Sequence, residues 1–193
     1  MSSHRIRSSM VYDSRKSPDT LFLCKMNDPT DLLIPVKKSE AGEISRMAHE
    51  IWPVVYREMI SKEQTGFMLD WMYRPDRILS EIESGVRYFW IQPDGRRLGF
   101  TSFGPVLKGE VCQLHKLYIH PSFHRKGFGI SSLRAIEKRL TACGATALEL
   151  RVNRRNQAAI ALYRKAKFQL LREDIKEIGG DFVMDDFILQ KPL

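Results

Sequence analysis

The segment from Leu114 to Ile130 constrains this chain more than any other. Leu114 to Ile119 reads as a half-buried strand. A short loop comes next, and Arg125-Lys126-Gly127-Phe128-Gly129 then opens an amphipathic helix. The first backbone N–H groups of a helix lack intrahelical partners and carry a partial positive charge. Glycine at that point lets the backbone approach a ligand closely, so the segment suits a phosphorylated ligand.

Glycine spacing alone has a bland alternative, a loop eased between strand and helix. The segment is not a Walker loop. Nor is it G-x-G-x-x-G, because Ser132 stands where the third glycine would. The residues after Gly129 add weight to the phosphate reading. Ile130, Leu133, Ile136 and Leu140 recur at helical spacing, with Arg134, Glu137, Lys138 and Arg139 on the other faces, and Gly144 closes the helix. Ala147 to Val152 alternates as a strand. Asn156 then caps a helix running to about Lys167. The order is strand, phosphate loop, helix, strand, helix.

His124-Arg125-Lys126-Gly127-Phe128-Gly129 resembles the pyrophosphate loop [QR]-x-x-G-x-[GA] of the GNAT superfamily of N-acetyltransferases. Asn156 to Phe168 is similar to that family's N-x-x-A-x-x-[FY]-Y-x-k-x-G-F signature, and the two stand in the family's order. The resemblance runs from about Ile34 to the C-terminus and is diffuse before Trp90. It implies an α/β, α+β three-layer fold: a mixed, mostly antiparallel sheet with helices on both faces. It also implies acetyl-CoA as co-substrate and no metal. Two residues depart from the pattern. His124 replaces Gln or Arg, which should alter affinity rather than abolish binding, since the loop works through backbone N–H groups and Arg125 can supply a cation. Lys167 replaces the usual glycine before Phe168. Positive φ there costs a non-glycine residue about 1 kcal/mol.

At 193 residues the chain is one domain with an extension, and it can bury a sizeable core. Residues 1–33 read as an N-terminal extension, either a disordered tail or a docking arm, and 34–193 as the catalytic domain. The Arg/Ser bias of the extension resembles a targeting segment, but Asp13 and Asp19 weaken that reading, and Leu21-Phe22-Leu23 suggests a short docked strand. No apolar run is long enough to span a membrane. Cys24, Cys112 and Cys143 lack C-x-x-C spacing, which points to a reducing compartment, the cytoplasm, and to no cysteine metal site. The five histidines lack paired ligand spacing.

Charge is unevenly spread. His115 to Arg172 holds thirteen Lys and Arg against two acids, a local +11 in a chain of net +8, which leaves −3 for the rest. The positive field sits on the half that carries the loop and suits a small polyanion such as coenzyme A. Most of these bases belong to solvated helix faces. A nucleic-acid partner is disfavoured, because no helix-turn-helix, zinc or RNP signature is present.

Along the chain, Ile34 to Val36 predicts a first strand. Ser39 predicts the cap of a helix bearing Ile44, Met47, Ile51 and Val55, with a kink at Pro53. Further helices are expected near Glu63 to Tyr73 and from Pro75 to Gly85. Arg87 to Ile91 and Leu98 to Phe103 predict a hairpin, with a third strand at Val111 to Ile119. Phe168 to Ile175 and Phe182 to Leu189 predict a closing antiparallel pair around Gly179-Gly180.

By resemblance, the loop residues His124, Arg125, Lys126, Gly127, Phe128, Gly129 and Ile130 hold the coenzyme, with Asn156 and Ala159. Backbone groups of Leu117, Tyr118 and Ile119 grip its pantetheine and polarise the acetyl carbonyl. Tyr163 matches the family's general acid; a phenol keeps its proton at neutral pH and can donate to a departing thiolate. Its bland alternative is a core aromatic. His115 titrates near neutrality on the right strand and is the first candidate base; Glu110, Glu149 and a water chain are others. Trp52, Tyr56 and Gln64 are expected to border the acceptor. Phe67, Trp71, Tyr73, Glu58, Glu63 and Asp70 lie in the same region, where aromatic faces and carboxylates suit an ammonium ion.

These expectations describe direct acetyl transfer to a primary amine in a ternary complex, with a small-molecule amine favoured over a peptide N-terminus or lysine. A coenzyme-A-binding regulatory protein without turnover is the alternative of another class. An N-terminal arm is a common way to build a homodimer.

Overall fold

The computed structural model describes residues 31–193. Residues 1–30 of the expected 1–33 extension, with their docked-strand and targeting readings, lie outside the described residues, and Leu33 at its end already belongs to the sheet.

Three helices precede most of the sheet. α1 (Ala41–Val55) turns Ala41, Ile44, Ala48, Ile51 and Trp52 inward. Its start differs from the sequence expectation. A single 3-10 turn covers Lys38–Glu40, so Ser39 is not the cap, and the Glu40 carboxylate instead accepts the Lys37 backbone N–H at 2.7 Å. Pro53 stands in the last turn, two residues before the end. Its missing N–H leaves the His49 carbonyl without its intrahelical donor, while the Tyr56 N–H still reaches the Trp52 carbonyl at 2.9 Å. α2 (Lys62–Met72) starts at Ser61, whose hydroxyl accepts the Gln64 N–H at 3.0 Å. α3 (Pro75–Glu83) begins with proline at a position where its fixed φ fits and no N–H is needed.

The strands are β1 (Leu33–Pro35), β2 (Arg87–Ile91), β3 (Gly99–Phe103), β4 (Val111–Ile119), β5 (Ala147–Asn153), β6 (Gln169–Gly179) and β7 (Phe182–Pro192). They form one sheet in the order β1-β2-β3-β4-β5-β7-β6. Among the described residues only the central β4–β5 pair is parallel, and α4 (Phe128–Ala142) makes that crossover. α5 (Gln157–Lys165) comes after β5. The final hairpin is longer than the sequence predicts, because β6 is an edge strand exposed on both faces and shows no apolar alternation past Ile175.

Two cores lie on opposite faces of the sheet. On one, Leu133, Ile136, Leu140, Ile160 and Tyr163 from α4 and α5 pack on Phe89, Phe103, Leu114, Leu148 and Leu150. On the other, Ile44, Ile51, Trp52, Met68 and Ile78 from α1, α2 and α3 pack on Tyr88, Trp90 and Phe100. Each fully buried large apolar side chain contributes about 1.5–3 kcal/mol. The expected three-layer mixed sheet is present.

Two irregularities shape the middle. Phe103 pairs with Leu114 but Ser102 pairs with Lys116, so β4 carries one extra residue, a bulge at His115. Pairing of β4 with β5 runs from Val111–Ala147 to Leu114–Leu150 and stops there, although both strands continue. The sheet splits at the bulge.

Candidate active site

The split leaves backbone groups without a strand partner. The His120 N–H bonds the Leu98 carbonyl at 2.8 Å. By alternation, Tyr118 and Lys116 also turn their backbone groups toward β3, while Leu117 and Ile119 turn theirs toward the gap. The expectation that Leu117, Tyr118 and Ile119 all offer free backbone groups therefore needs one correction. Tyr118 pairs with Phe100 through its backbone and joins the site by its side chain.

The loop beyond β4 is shaped by three conformations. His124 donates from Nε2 to the Ile119 carbonyl at 2.8 Å, tying the loop back to the strand end. Arg125 has φ 61°, a left-handed conformation that costs a non-glycine residue about 1 kcal/mol. Gly127 has φ 84° and stands at the N-cap of α4, with no side-chain cap bond there. The two glycines have different reasons. Gly127 meets nothing where a Cβ would be and is needed for its φ, whereas a Cβ on Gly129 would lie 3.0 Å from Leu162 Cδ2 on α5. Phe128, Gly129 and Ile130 form the uncapped first turn, and Arg125 and Lys126 are exposed beside it. Open N–H groups, a helix start and two cations fit a pyrophosphate.

α5 is held at both ends. Asn156 is buried and accepts the Ala159 N–H at 3.1 Å. At the other end Lys167 has φ 71°, as its place in the motif predicts. Phe168 N–H bonds the Tyr163 carbonyl at 3.0 Å, and Lys167 N–H the Arg164 carbonyl at 2.9 Å. This Schellman motif brings the Tyr163 and Phe168 rings to 5.7 Å. Tyr163 is buried, and desolvation raises its pKa, so the phenol is protonated at neutral pH.

On the other side of the split lies a cavity of about 330 Å³, lined from α1, α2, α3, β4, β5 and β7. Trp52, Tyr56 and Gln64 all line it. Trp52 and Tyr56 rings lie 4.4 Å apart, and the Tyr56 and Tyr118 hydroxyls 3.2 Å apart. Burial, then the neighbouring Tyr118, raises the Tyr56 pKa. Trp71 lines the cavity, whereas Tyr73 is core and Phe67 packs on Phe182 at 5.4 Å between ring centres.

The carboxylates differ from those the sequence suggested. Glu58, Glu63 and Asp70 do not line the cavity; Glu81 and Asp186 do. Lys116, 3% exposed, bonds Glu81 at 2.7 Å, and the Tyr88 hydroxyl donates to the same carboxylate at 2.6 Å. Burial works against the ionised Glu81, but the Lys116 charge and these hydrogen bonds outweigh it and hold its pKa below the usual range. Asp186 had one sequence signal: it stands between Met184 and Ile188 on the inward face of β7, where a carboxylate is out of place.

His115 lines the cavity and donates from Nε2 to the Gly104 carbonyl at 2.6 Å, which leaves Nδ1 as its acceptor nitrogen. Desolvation lowers its pKa, against that hydrogen bond. Glu110 and Glu149 are not part of the cavity wall, and Glu149 accepts from Gln113 at 2.9 Å. Among the described residues no group of three or more His, Cys, Asp or Glu is placed to hold a metal. None of the described helices is long and apolar enough to cross a membrane.

A sheet split beside an anion-binding helix start, with an aromatic and acidic cavity across the split, defines a class of domain built to hold a phosphorylated carrier next to an acceptor. The profile of the Acetyltransferase (GNAT) family matches residues 49–168, and the chain belongs to that family. It is an N-acetyltransferase. It is 24% identical over 144 residues to the spermidine N(1)-acetyltransferase of Thermoplasma acidophilum, covering 72% of this chain and 86% of that one. It is 26% identical over 147 residues to the aminoglycoside N(6')-acetyltransferase type 1 of Klebsiella aerogenes, covering 73% and 91%. Among solved structures, the PaiA N-acetyltransferase of Thermoplasma acidophilum in complex with coenzyme A superposes with a TM-score of 0.69 at 22% identity, covering 83% of this chain and 98% of that one.

Proposed function

We propose that the protein transfers the acetyl group of acetyl-CoA directly to a primary amine of a small molecule, in the cytoplasm, within a ternary complex. The observation that carries this is the split after Leu114 and Leu150, because it sets the anion-binding loop and the acceptor cavity on one pair of strands. The two curated relatives act on spermidine and on aminoglycosides, which supports a small amine. Three cysteines without C-x-x-C spacing support a reducing compartment.

The loop from His124 to Ile130 would bind the pyrophosphate through backbone N–H groups, with Arg125 and Lys126 adding charge. Asn156 and Ala159 would fix the start of α5 beside it. Backbone groups of Leu117 and Ile119 would hold the pantetheine arm and donate to the thioester oxygen as charge develops; one preorganised donor contributes a few kcal/mol. Trp52, Tyr56 and Gln64 would border the amine. The amine nitrogen attacks the carbonyl carbon, the C–S bond breaks, and the Tyr163 hydroxyl hydrogen-bonds the sulfur as it gains charge. His115, which lines the cavity, would offer Nδ1 as one proton acceptor.

Calorimetric titration with acetyl-CoA and desulfo-CoA tests the loop, and thiol release with spermidine, kanamycin, a free amino acid and a peptide with a free N-terminus tests the acceptor. Micromolar binding of both coenzymes, with turnover on spermidine or kanamycin, is expected. Binding without turnover on any amine would favour a regulatory coenzyme-A-binding protein. No binding would sink the proposal.

A further inference from the structure

Asp186 is 4% exposed, faces the cavity, and its carboxylate makes no hydrogen bond or ion pair among the described residues. A buried carboxylate without a partner is costly, so its position calls for a cation. The described residues supply none. Arg151, the nearest base on β5, is paired with Asp174 of β6. Arg154 is taken by Glu173 and Asp185. On the far wall, Lys116 and Arg77 both go to Glu81, at 2.7 and 3.2 Å. His115 is kept toward its neutral form by desolvation. The remaining polar groups of the wall are Gln64, whose amide donates to the Val183 carbonyl at 2.8 Å, Gln113, Asn153, and the Tyr56 and Tyr118 hydroxyls. Asp174 and Asp185 add negative charge beside it. Among the described residues every fixed cation around the cavity is engaged, and one buried carboxylate is left over.

We propose that Asp186 is a catalytic residue that receives the acceptor as an ammonium ion and takes its proton before attack. This rests on the acetyl-transfer reading above. The ammonium gives one proton to Asp186, forming the neutral amine and the carboxylic acid. The freed lone pair forms the N–C bond, and the C–S electrons leave with sulfur. Tyr163 protonates the sulfur, the second N–H proton balances that loss, and Asp186 returns its proton to solvent. Net products are the acetamide, the thiol and one proton.

Burial raises the Asp186 pKa to about 6, with Arg151 opposing and Asp174 and Asp185 assisting. A carboxylate that must be ionised to act makes kcat/KM rise with pH through that value. His115 also titrates below its usual range, so the two are separated by substitution. Asp186→Asn should lower kcat/KM by about 100-fold or more and remove the acidic limb, with acetyl-CoA affinity kept as the check on folding. His115→Gln should keep the limb, whatever it does to the rate. A limb that survives in Asp186→Asn and vanishes in His115→Gln overturns the assignment, as does a rate within about threefold of wild type. Carbon-13 NMR of the Asp186 carboxyl decides the matter without turnover. Saturating spermidine or kanamycin should pull its midpoint down by about one unit, since an opposite charge favours the ionised form. Wild type that releases no thiol with any amine refutes acetyl transfer, while a midpoint unmoved by both cations refutes the role of Asp186.

Discussion

The proposed coenzyme loop and the proposed acceptor cavity lie on the same two strands, yet they are built differently. The loop is backbone: its working groups would be N–H groups of consecutive residues, and its side chains serve mainly to set φ values and tie ends. The cavity is side chain: its wall comes from six elements spread from Trp52 to Asp186. A backbone site tolerates changes of letter if the conformation holds, as His124 and Lys167 do. A side-chain site changes its ligand with each letter.

The largest effect should come from breaking the cavity wall. Lys116→Ala leaves Glu81 without its main counter-charge under α3, and urea unfolding should show a loss of about 3–5 kcal/mol. Next comes Asp186→Asn, with the opposite sign. The Asp186 pKa is 3.8 unfolded and about 6 folded, so the cost of its buried charge is absent below pH 4, develops as pH rises, and is complete above about 7. Thermal melts at pH 8 should show a stabilisation of up to about 3 kcal/mol that vanishes near pH 4. Tyr163→Phe should lower turnover at least about tenfold, roughly 1.4 kcal/mol, with coenzyme affinity almost unchanged, as steady-state kinetics beside calorimetry would read. The smallest effect belongs to the backbone. Lys167→Gly removes a left-handed non-glycine residue and should stabilise by about 0.5–1 kcal/mol in chemical denaturation, leaving turnover alone.

The same contrast sorts what sequence reading reached. Arg125 to Gly129 and Asn156 to Phe168 are local, so spacing reveals both the glycine turn proposed to bind the anion and the need for positive φ at Lys167. The left-handed Arg125 gave no such signal, since nothing in its neighbours distinguishes it from an ordinary loop residue. Trp52, Tyr56 and Gln64 were legible as a region, and the structure gathers them in one cavity. The Lys116–Glu81 pair joins residues thirty-five positions apart, and no periodicity within α3 or β4 points across the sheet. Ser39 failed as a cap because Glu40, one residue on, reaches back to Lys37 in a tighter turn.

The extra residue at His115 has one more consequence, in counting. Before it, the even positions Cys112 and Leu114 face the core under α4 and α5; after it, the odd positions Leu117 and Ile119 do. Lys116 and Tyr118 are thereby sent to the opposite layer, where Lys116 lies 5.6 Å from the Tyr73 ring and Tyr118 5.5 Å from the Phe100 ring. β4 thus changes parity partway and serves two helix layers in turn. Its length is fixed more tightly than its letters. A substitution at 115 leaves the bulge intact, but deleting that one residue would let Lys116 follow Leu114 in unbroken alternation, with Leu117, Tyr118 and Ile119 in the layers they hold now, and would remove the bulge at which pairing with β5 stops.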